Sequence, residues 1–240
     1  MVSTTCGNSV RPAWVATQLH NNRHIKTCHQ VCSSFTFTFA TSDVGMKALG
    51  VDHPLSGPLF QSYTHKSPAS ITTHEDSMCI IEAEFAFSMK YDLPPKATDY
   101  SREEVCNAIA AIHPAIEIVN TRCIDGFTAG ANWTVADFTA NEAFIIGEAV
   151  VDWRQFDLAN HVIYVEINGA PKEKGVGAAV LGHPINVLHW LVNHLSARNI
   201  TLKATDFVST GITTPIITGL KGDSVEADFG SLGLVEVEIQ

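Results

Sequence analysis

No stretch of this sequence approaches the roughly 20 apolar residues that a membrane-spanning helix requires, so no membrane partner is expected. Lys and Arg number only 15 against 25 Asp and Glu, a formal net charge of −10. The basic residues form no cluster, and a phosphate-binding surface needs one, so nucleic acid is not an expected partner. A positively charged start followed by an apolar core is also missing. No secretory signal is therefore expected, and the sequons at Asn132 and Asn199 carry no weight. The glycine-rich "GVGAAVLGHP" has no Walker lysine and no strand–G-x-G-x-x-G–helix setting, and no G-x-S-x-G elbow occurs. Nucleotide loops and serine-hydrolase chemistry thus lack support. No internal repeat is seen, and no low-complexity linker follows Asp43.

Six cysteines are scattered rather than patterned, and in a chain of 240 residues with ample core they read as reduced thiols. His20, His24, Cys28 and Cys32 recur every four residues. On a helix they would span about 18 Å at about 1.5 Å per residue, so one zinc reaches a neighbouring pair only. Chance placement is the plainer reading. The first acidic residue is Asp43, and before it stand only Arg11, Arg23 and Lys26 amid many Ser and Thr. Residues 1–40 therefore read as an atypical leader and 41–240 as one globular domain. A cytoplasmic location is expected, with a mitochondrial address as the alternative that an acid-free, Ser/Thr-rich start suggests.

Along the ordered part, residues 43–50 read as a short helix and "VDHPLSGPLF" as a Pro/Gly loop. "SMCIIEAEFAFSM" alternates as a strand, with Ile81, Ala83, Phe85, Phe87 and Met89 on one face and Glu82, Glu84, Ala86 and Ser88 on the other. "DYSREEVCNAIAAIHP" reads as a helix opened by a capping box of Ser101 and Glu104 and ended by Pro114. "AIEIV" follows as a short strand, which turns Glu117 away from Ile116 and Ile118. "HVIYVEING" is a further strand. "GHPINVLHWLVNHLSAR" is a helix with Pro184 in its first turn and Val187, Leu188, Leu191 and Leu195 as its buried stripe. "DFVSTG", "ITTPIIT" and the hairpin "SVEADFGSLGLVEVEI" end the chain in strands. Many strands with few helices, and no regular βαβ alternation, give an α+β fold class.

On pattern alone, Glu82 and Glu84 most often mark the wet side of a strand. This face, however, lacks the Lys, Thr and Arg of an ordinary outer face and continues into small residues. Glu117 adds a third carboxylate set among apolar neighbours. Three converging carboxylates suit a hard divalent cation such as Mg²⁺, which takes oxygen ligands and keeps exchangeable waters. Glu226 and Asp228 share the spacing but sit in an acid-rich hairpin, and read as a solvated face. The glycines before His183, Gly182 among them, suit close approach of a small anion to the helix start.

Several segments, in this order, resemble the 2-oxopent-4-enoate hydratase and 4-oxalocrotonate decarboxylase group of the fumarylacetoacetate hydrolase superfamily. They are "LGVDHPLSGPLF", "IEAEFAF", "IHPAIEIV", "AAVLGHPINVLHWLVNHL" and "STG…GDSVEADFGSLGLVEVEI". The resemblance runs from about residue 41 to the end. It implies a mixed β-roll or β-sandwich of the C-terminal type of that superfamily, flanked by a few helices and assembled as a homo-oligomer, dimer or larger. It implies Mg²⁺ or Mn²⁺ on Glu82, Glu84 and Glu117, and small 2-oxo or 2-hydroxy-dienoic carboxylates as substrates. The implied activity is that of a lyase, a hydratase or decarboxylase in which the metal, as a Lewis acid, stabilises an enolate. Gly182, His183 and Thr210 are the candidate substrate contacts.

Three departures from the group's pattern stand out. Phe37, in "FTFTFATS", occupies the place of a lysine; Ser62 falls where an acid is common; and Ala159 takes the place of a second lysine. The group's N-terminal helices also have no counterpart in 1–34. Lys66, His65 and His183 are the candidates left for the catalytic role. The alternatives are a tautomerase or acylpyruvate-type hydrolase of the same superfamily, or a non-catalytic relative. Phe37 also has a plain reading, as part of a core strand with Phe35, Phe37 and Phe39 inward.

Overall fold

The computed structural model describes residues 34–39, 41–73 and 77–240, without the side chains of 34–39, 43 and 44. The stripe of His20, His24, Cys28 and Cys32, and all of the proposed leader up to Ser33, lie outside the described residues.

Strand β1 (Ser34–Phe39) pairs antiparallel with β2 (Leu55–Phe60) as a two-stranded ribbon, and helix α1 (Asp43–Ala48) lies between them in sequence. The ribbon strand β2 corrects the reading of "VDHPLSGPLF" as loop throughout. Pro58 is accommodated because a strand paired on one side only need not donate at every residue.

A six-stranded sheet is built around β5 (Ile80–Met89) and β6 (Ile109–Val119), with β7 (Asn141–Ile146) and β3 (Thr64–Lys66) beyond β6. Strands β10 (Phe207–Ser209) and β11 (Ile217–Thr218) both pair with β5. A five-stranded sheet has the order β4 (Ala69–Ile71), β13 (Leu234–Ile239), β12 (Ser224–Asp228), β8 (Val162–Ile167), β9 (Ala170–Val176). Each sheet mixes antiparallel pairs with one parallel pair, β3–β7 in the first and β4–β13 in the second. Of "ITTPIIT", only Ile217 and Thr218 form a strand.

The core lies between the two larger sheets. Ala83, Phe85 and Ile116 of one face meet Val165, Val225 and Val235 of the other, joined by Leu188 and Leu191 of the long helix. That helix, Pro184–Ser196, carries the buried stripe read from its 3.6-residue period.

Helix α2 (Arg102–Ala108) has its capping box, but it stops well before Pro114. From Ile109 the chain is already strand β6, paired with β5 from Met89↔Ile109 to Ile80↔Val119. β-branched residues at 109, 112, 116 and 118 gain more from a long buried ladder than from continuing the helix. Pro114 is tolerated inside β6 because its C=O accepts from Gly147 N–H at 2.9 Å just beyond the end of β7. Its missing N–H falls on that same side, where the strand partner has ended. The helix α3 (Ala131–Ala136) follows before β7, and Pro184–Ser196 is α4. Among the described residues no helix is long and apolar enough to cross a membrane.

Candidate metal centre

The alternation of β5 turns Ile81, Ala83, Phe85 and Phe87 into the core and leaves Glu82, Glu84, Ala86 and Ser88 on the opposite face. That opposite face is not wet: Glu84 and Glu117 are fully buried, and Glu82 is 7% exposed. Glu82 pairs across the ladder with Glu117. One carboxylate oxygen from each of Glu82, Glu84 and Glu117 lies within 4.8 Å of the others. The ladder holds them between two apolar patches. Leu59, Ala86, Ala115, Phe144 and Ile146 cluster on one side, and Ile80, Val119 and Ala140 on the other.

Each fully buried carboxylate has one oxygen fixed and one left over. Glu84 Oε2 accepts from the Ser209 hydroxyl and from Gly211 N–H at 2.8 Å. Glu117 Oε1 accepts from Asn141 Nδ2 at 2.8 Å. Glu84 Oε1 and Glu117 Oε2 have no donor, and none of the described ion pairs involves the three glutamates.

Burial first, and then the neighbouring carboxylates, push Glu82 and Glu117 well above the ordinary carboxylate range. Burial raises Glu84 too, opposed by the donors Ser209 and Gly211. At an effective dielectric of about 20, two ionised groups this close repel by about 3–4 kcal/mol. A divalent cation replaces that repulsion with attraction, and the unpartnered oxygens Glu84 Oε1 and Glu117 Oε2 are hard donors of the kind Mg²⁺, Mn²⁺ or Ca²⁺ takes. The residues therefore fit such a group. The donors on the other oxygens lock the carboxylates in orientation, as outer partners of metal ligands commonly do.

A cavity of about 520 Å³ opens beside Glu82. Its wall includes Thr41, Leu49, Ile80, Ile212, Thr214 and Ile216.

The family model described as Fumarylacetoacetate (FAA) hydrolase C-terminal matches residues 46–240. The chain belongs to the fumarylacetoacetate hydrolase family. This family member is 30% identical over 200 residues to the 2-keto-4-pentenoate hydratase of Paraburkholderia xenovorans (strain LB400), covering 83% of this chain and 73% of that protein. It is 27% identical over 232 residues to the 2-oxo-hept-4-ene-1,7-dioate hydratase of Escherichia coli, covering 95% of this chain and 83% of that protein. Its fold is similar to that of the 4-oxalocrotonate decarboxylase from Pseudomonas putida G7 complexed with magnesium and adipate. There the TM-score is 0.79 at 25% identity, over 90% of this chain and 82% of that one.

The other residues singled out from the sequence of this fumarylacetoacetate hydrolase family member fall in several places. Lys66 lies in the register row Glu84–Ala115–Ile146–Lys66, on the glutamate face but three strands away. At about 4.8 Å per strand that is about 14 Å along the sheet, and Lys66 is exposed. His65 alternates to the other face. His183 is the N-cap of α4, its Nδ1 accepting from Ile185 N–H at 3.1 Å. Burial and the nearby Arg102 lower its pKa. Gly182, at φ +75°, makes the turn into that cap. The Thr210 hydroxyl donates to Phe85 O at 2.9 Å, and Thr210 O accepts from the Thr41 hydroxyl at 2.8 Å, which ties the 41 and 210 segments together.

Phe37 lies in β1 opposite Gly57; its side chain, and the inward orientation read for Phe35, Phe37 and Phe39, lie outside what is described. Ser62 is exposed after β2, and Ala159 is half-buried near the start of β8. Glu226 and Asp228 sit half-exposed on the outer face of the second sheet, Glu226 flanked by Glu166 and Glu236. Ser209, Gly211 and Asn141 were not singled out from sequence. The first two flank the candidate Thr210 in "STG". Asn141 carries no local signal, because its contact to Glu117 closes only when β7 pairs with β6.

Proposed function

We propose that this chain is a divalent-cation-dependent lyase, a hydratase or decarboxylase, that acts on small 2-oxo or 2-hydroxy-dienoic acids with Mg²⁺ or Mn²⁺ held by Glu82, Glu84 and Glu117. The observation that carries the reading is the buried triad, with unpartnered oxygens on Glu84 and Glu117 and with Glu82 in the wall of a ligand-sized cavity. The named activities of the relatives support it. When bound, the cation supplies concentrated positive charge that polarises a 2-oxo group. The chain's own residues do the rest. Ser209, Gly211 and Asn141 hold two carboxylates in one orientation, Glu82 borders the space the substrate enters, and the apolar wall excludes water around it. Assembly into a homo-oligomer belongs to the same reading.

A second reading, a non-catalytic relative that keeps the cation platform, is favoured by one observation. Phe37, Ser62 and Ala159 stand at places of expected catalytic groups, and no Lys, Arg or His occurs among the described residues of the cavity wall. One experiment separates the two. With Mg²⁺ or Mn²⁺ present, loss of the ultraviolet absorbance of 2-hydroxypenta-2,4-dienoate or 4-oxalocrotonate is followed for the protein and for Glu82→Gln. Cation-dependent loss that disappears in Glu82→Gln is the expected result. Cation binding without turnover of either acid supports the non-catalytic relative, and absence of cation binding overturns the metal assignment.

A further inference from the structure

We infer that the cavity beside Glu82 selects 2-oxo acids with an uncharged, apolar tail longer than that of a five-carbon acid, and discriminates against dicarboxylates. The inference rests on the reading of the triad as a cation site, which would anchor the carboxylate and keto oxygens beside Glu82.

At about 30 Å³ per heavy atom, the volume of one water in the liquid, an oxo acid of five carbons and three oxygens takes about 240 Å³. The cavity holds about 520 Å³, so more than half remains beyond such a ligand.

The chemistry of that remainder decides what fills it. Leu49, Ile80, Phe127, Ile212, Pro215 and Ile216 line the cavity. Its described polar groups are few. The Thr41 hydroxyl is committed to Thr210 O, and the Ser42 hydroxyl caps α1 by accepting from Gly45 N–H. Thr214 is 7% exposed, and its Oγ1 has no partner. One hydroxyl can serve a single neutral polar atom of a ligand, such as a hydroxyl or keto oxygen, but it does not neutralise a charge. No described lining residue is a cation. A second carboxylate would be desolvated without a counter-charge, and with the carboxylate of Glu82 in the same cavity wall. Ile216 is 71% exposed, which places it where the cavity meets solvent.

The test measures dissociation constants by calorimetry on the full chain with Mn²⁺, using 2-oxobutanoate, 2-oxohexanoate, 2-oxooctanoate and 2-oxoadipate. Each added methylene is expected to tighten binding about fourfold. 2-Oxoadipate is expected to bind at least about a hundredfold more weakly than 2-oxohexanoate, which has the same carbon count. Ile216→Arg, at an exposed position where folding is undisturbed, is expected to narrow that gap at least tenfold. Equal or tighter binding of 2-oxoadipate to the unmodified protein overturns the proposal, as does a gap that Ile216→Arg leaves unchanged.

Failure of the cation reading shows up separately, as melting temperatures that Mn²⁺ does not move. The cavity is then probed without metal by ligand-observed NMR, using 2-hexanone against 5-oxohexanoate. Preference for the neutral ketone sustains the proposal; no preference, or no binding of either, overturns it.

Discussion

Glu117 has one oxygen held by Asn141 Nδ2 and one held by no donor, in a site where two further carboxylates face it. Because burial raises the pKa values of all three glutamates above 4.5, with carboxylate repulsion adding to it at Glu82 and Glu117, the sign of their contribution follows. Their favourable share of folding is complete below about pH 4.5 and is lost as pH rises through the raised values. The EDTA-treated protein should therefore melt at progressively lower temperature as pH rises above about 4.5. Mn²⁺ at a hundred times its dissociation constant should restore about 2.7 kcal/mol. Glu117→Gln should flatten the pH slope and remove most of the Mn²⁺ effect, both read from calorimetric melts. Gly211 is the second informative residue. At φ +91° it adopts a backbone rarely taken by other residues, and an added Cβ would overlap Thr41 Oγ1. Gly211→Ala should cost about 1–3 kcal/mol in backbone strain. Because it also shifts the N–H that orients Glu84, Mn²⁺ affinity should fall about 10–100-fold by titration.

Helix α2 and strand β6 show how one element is started locally and ended by its neighbours. Ser101 accepts from Glu104 N–H at 3.2 Å while Glu104 Oε2 accepts from Ser101 N–H at 2.7 Å, and Lys96 Nζ meets Glu104 at 2.6 Å. Ser101→Ala should lower stability by about 1 kcal/mol in urea titration, with Ser101→Gly costing less. The Lys96 and Ser101 contacts hold Glu104 down to about 2. Its contribution is therefore present above about pH 4.5 and lost as pH falls toward 2, so the Ser101→Ala deficit should shrink below pH 4. The start of this helix was legible because capping is local chemistry between residues three apart. Its end was not. Ile109 and Ile112 satisfy a helical period, but pairing with β5 draws them into the sheet from Ile109 onward.

At the scale of the molecule, the stability of the site depends on the sheet-on-sheet core behind it. Phe85 is fully buried, with its ring 5.4 Å from that of Phe229 in an edge arrangement, and it lies one residue from Glu84 on the opposite face of β5. Phe85→Ala should cost about 3–5 kcal/mol in chemical denaturation. The same strand holds the triad on its reverse side, so Mn²⁺ affinity should fall with it. The period-2 alternation of β5, β12 and β13 was readable because one register choice buries every apolar side chain of a strand together. The ribbon strand β2 was not, because Pro58 and Gly57 carry loop signals that only its partner β1 and the neighbouring Thr139 explain.

By itself the sequence determined the α+β class, the alternation that sets Glu82 and Glu84 on one face, and the isolation of Glu117 among apolar neighbours. All three follow from periods of two or 3.6 residues, which are local. Only the tertiary structure decided that the glutamate face is buried rather than wet, because that depends on what covers it. It alone also brought Ser209 and Gly211 to Glu84 across 125 and 127 residues and Asn141 to Glu117 across 24. Such contacts have no short-range signature, since they exist only after the strands have chosen their partners and register.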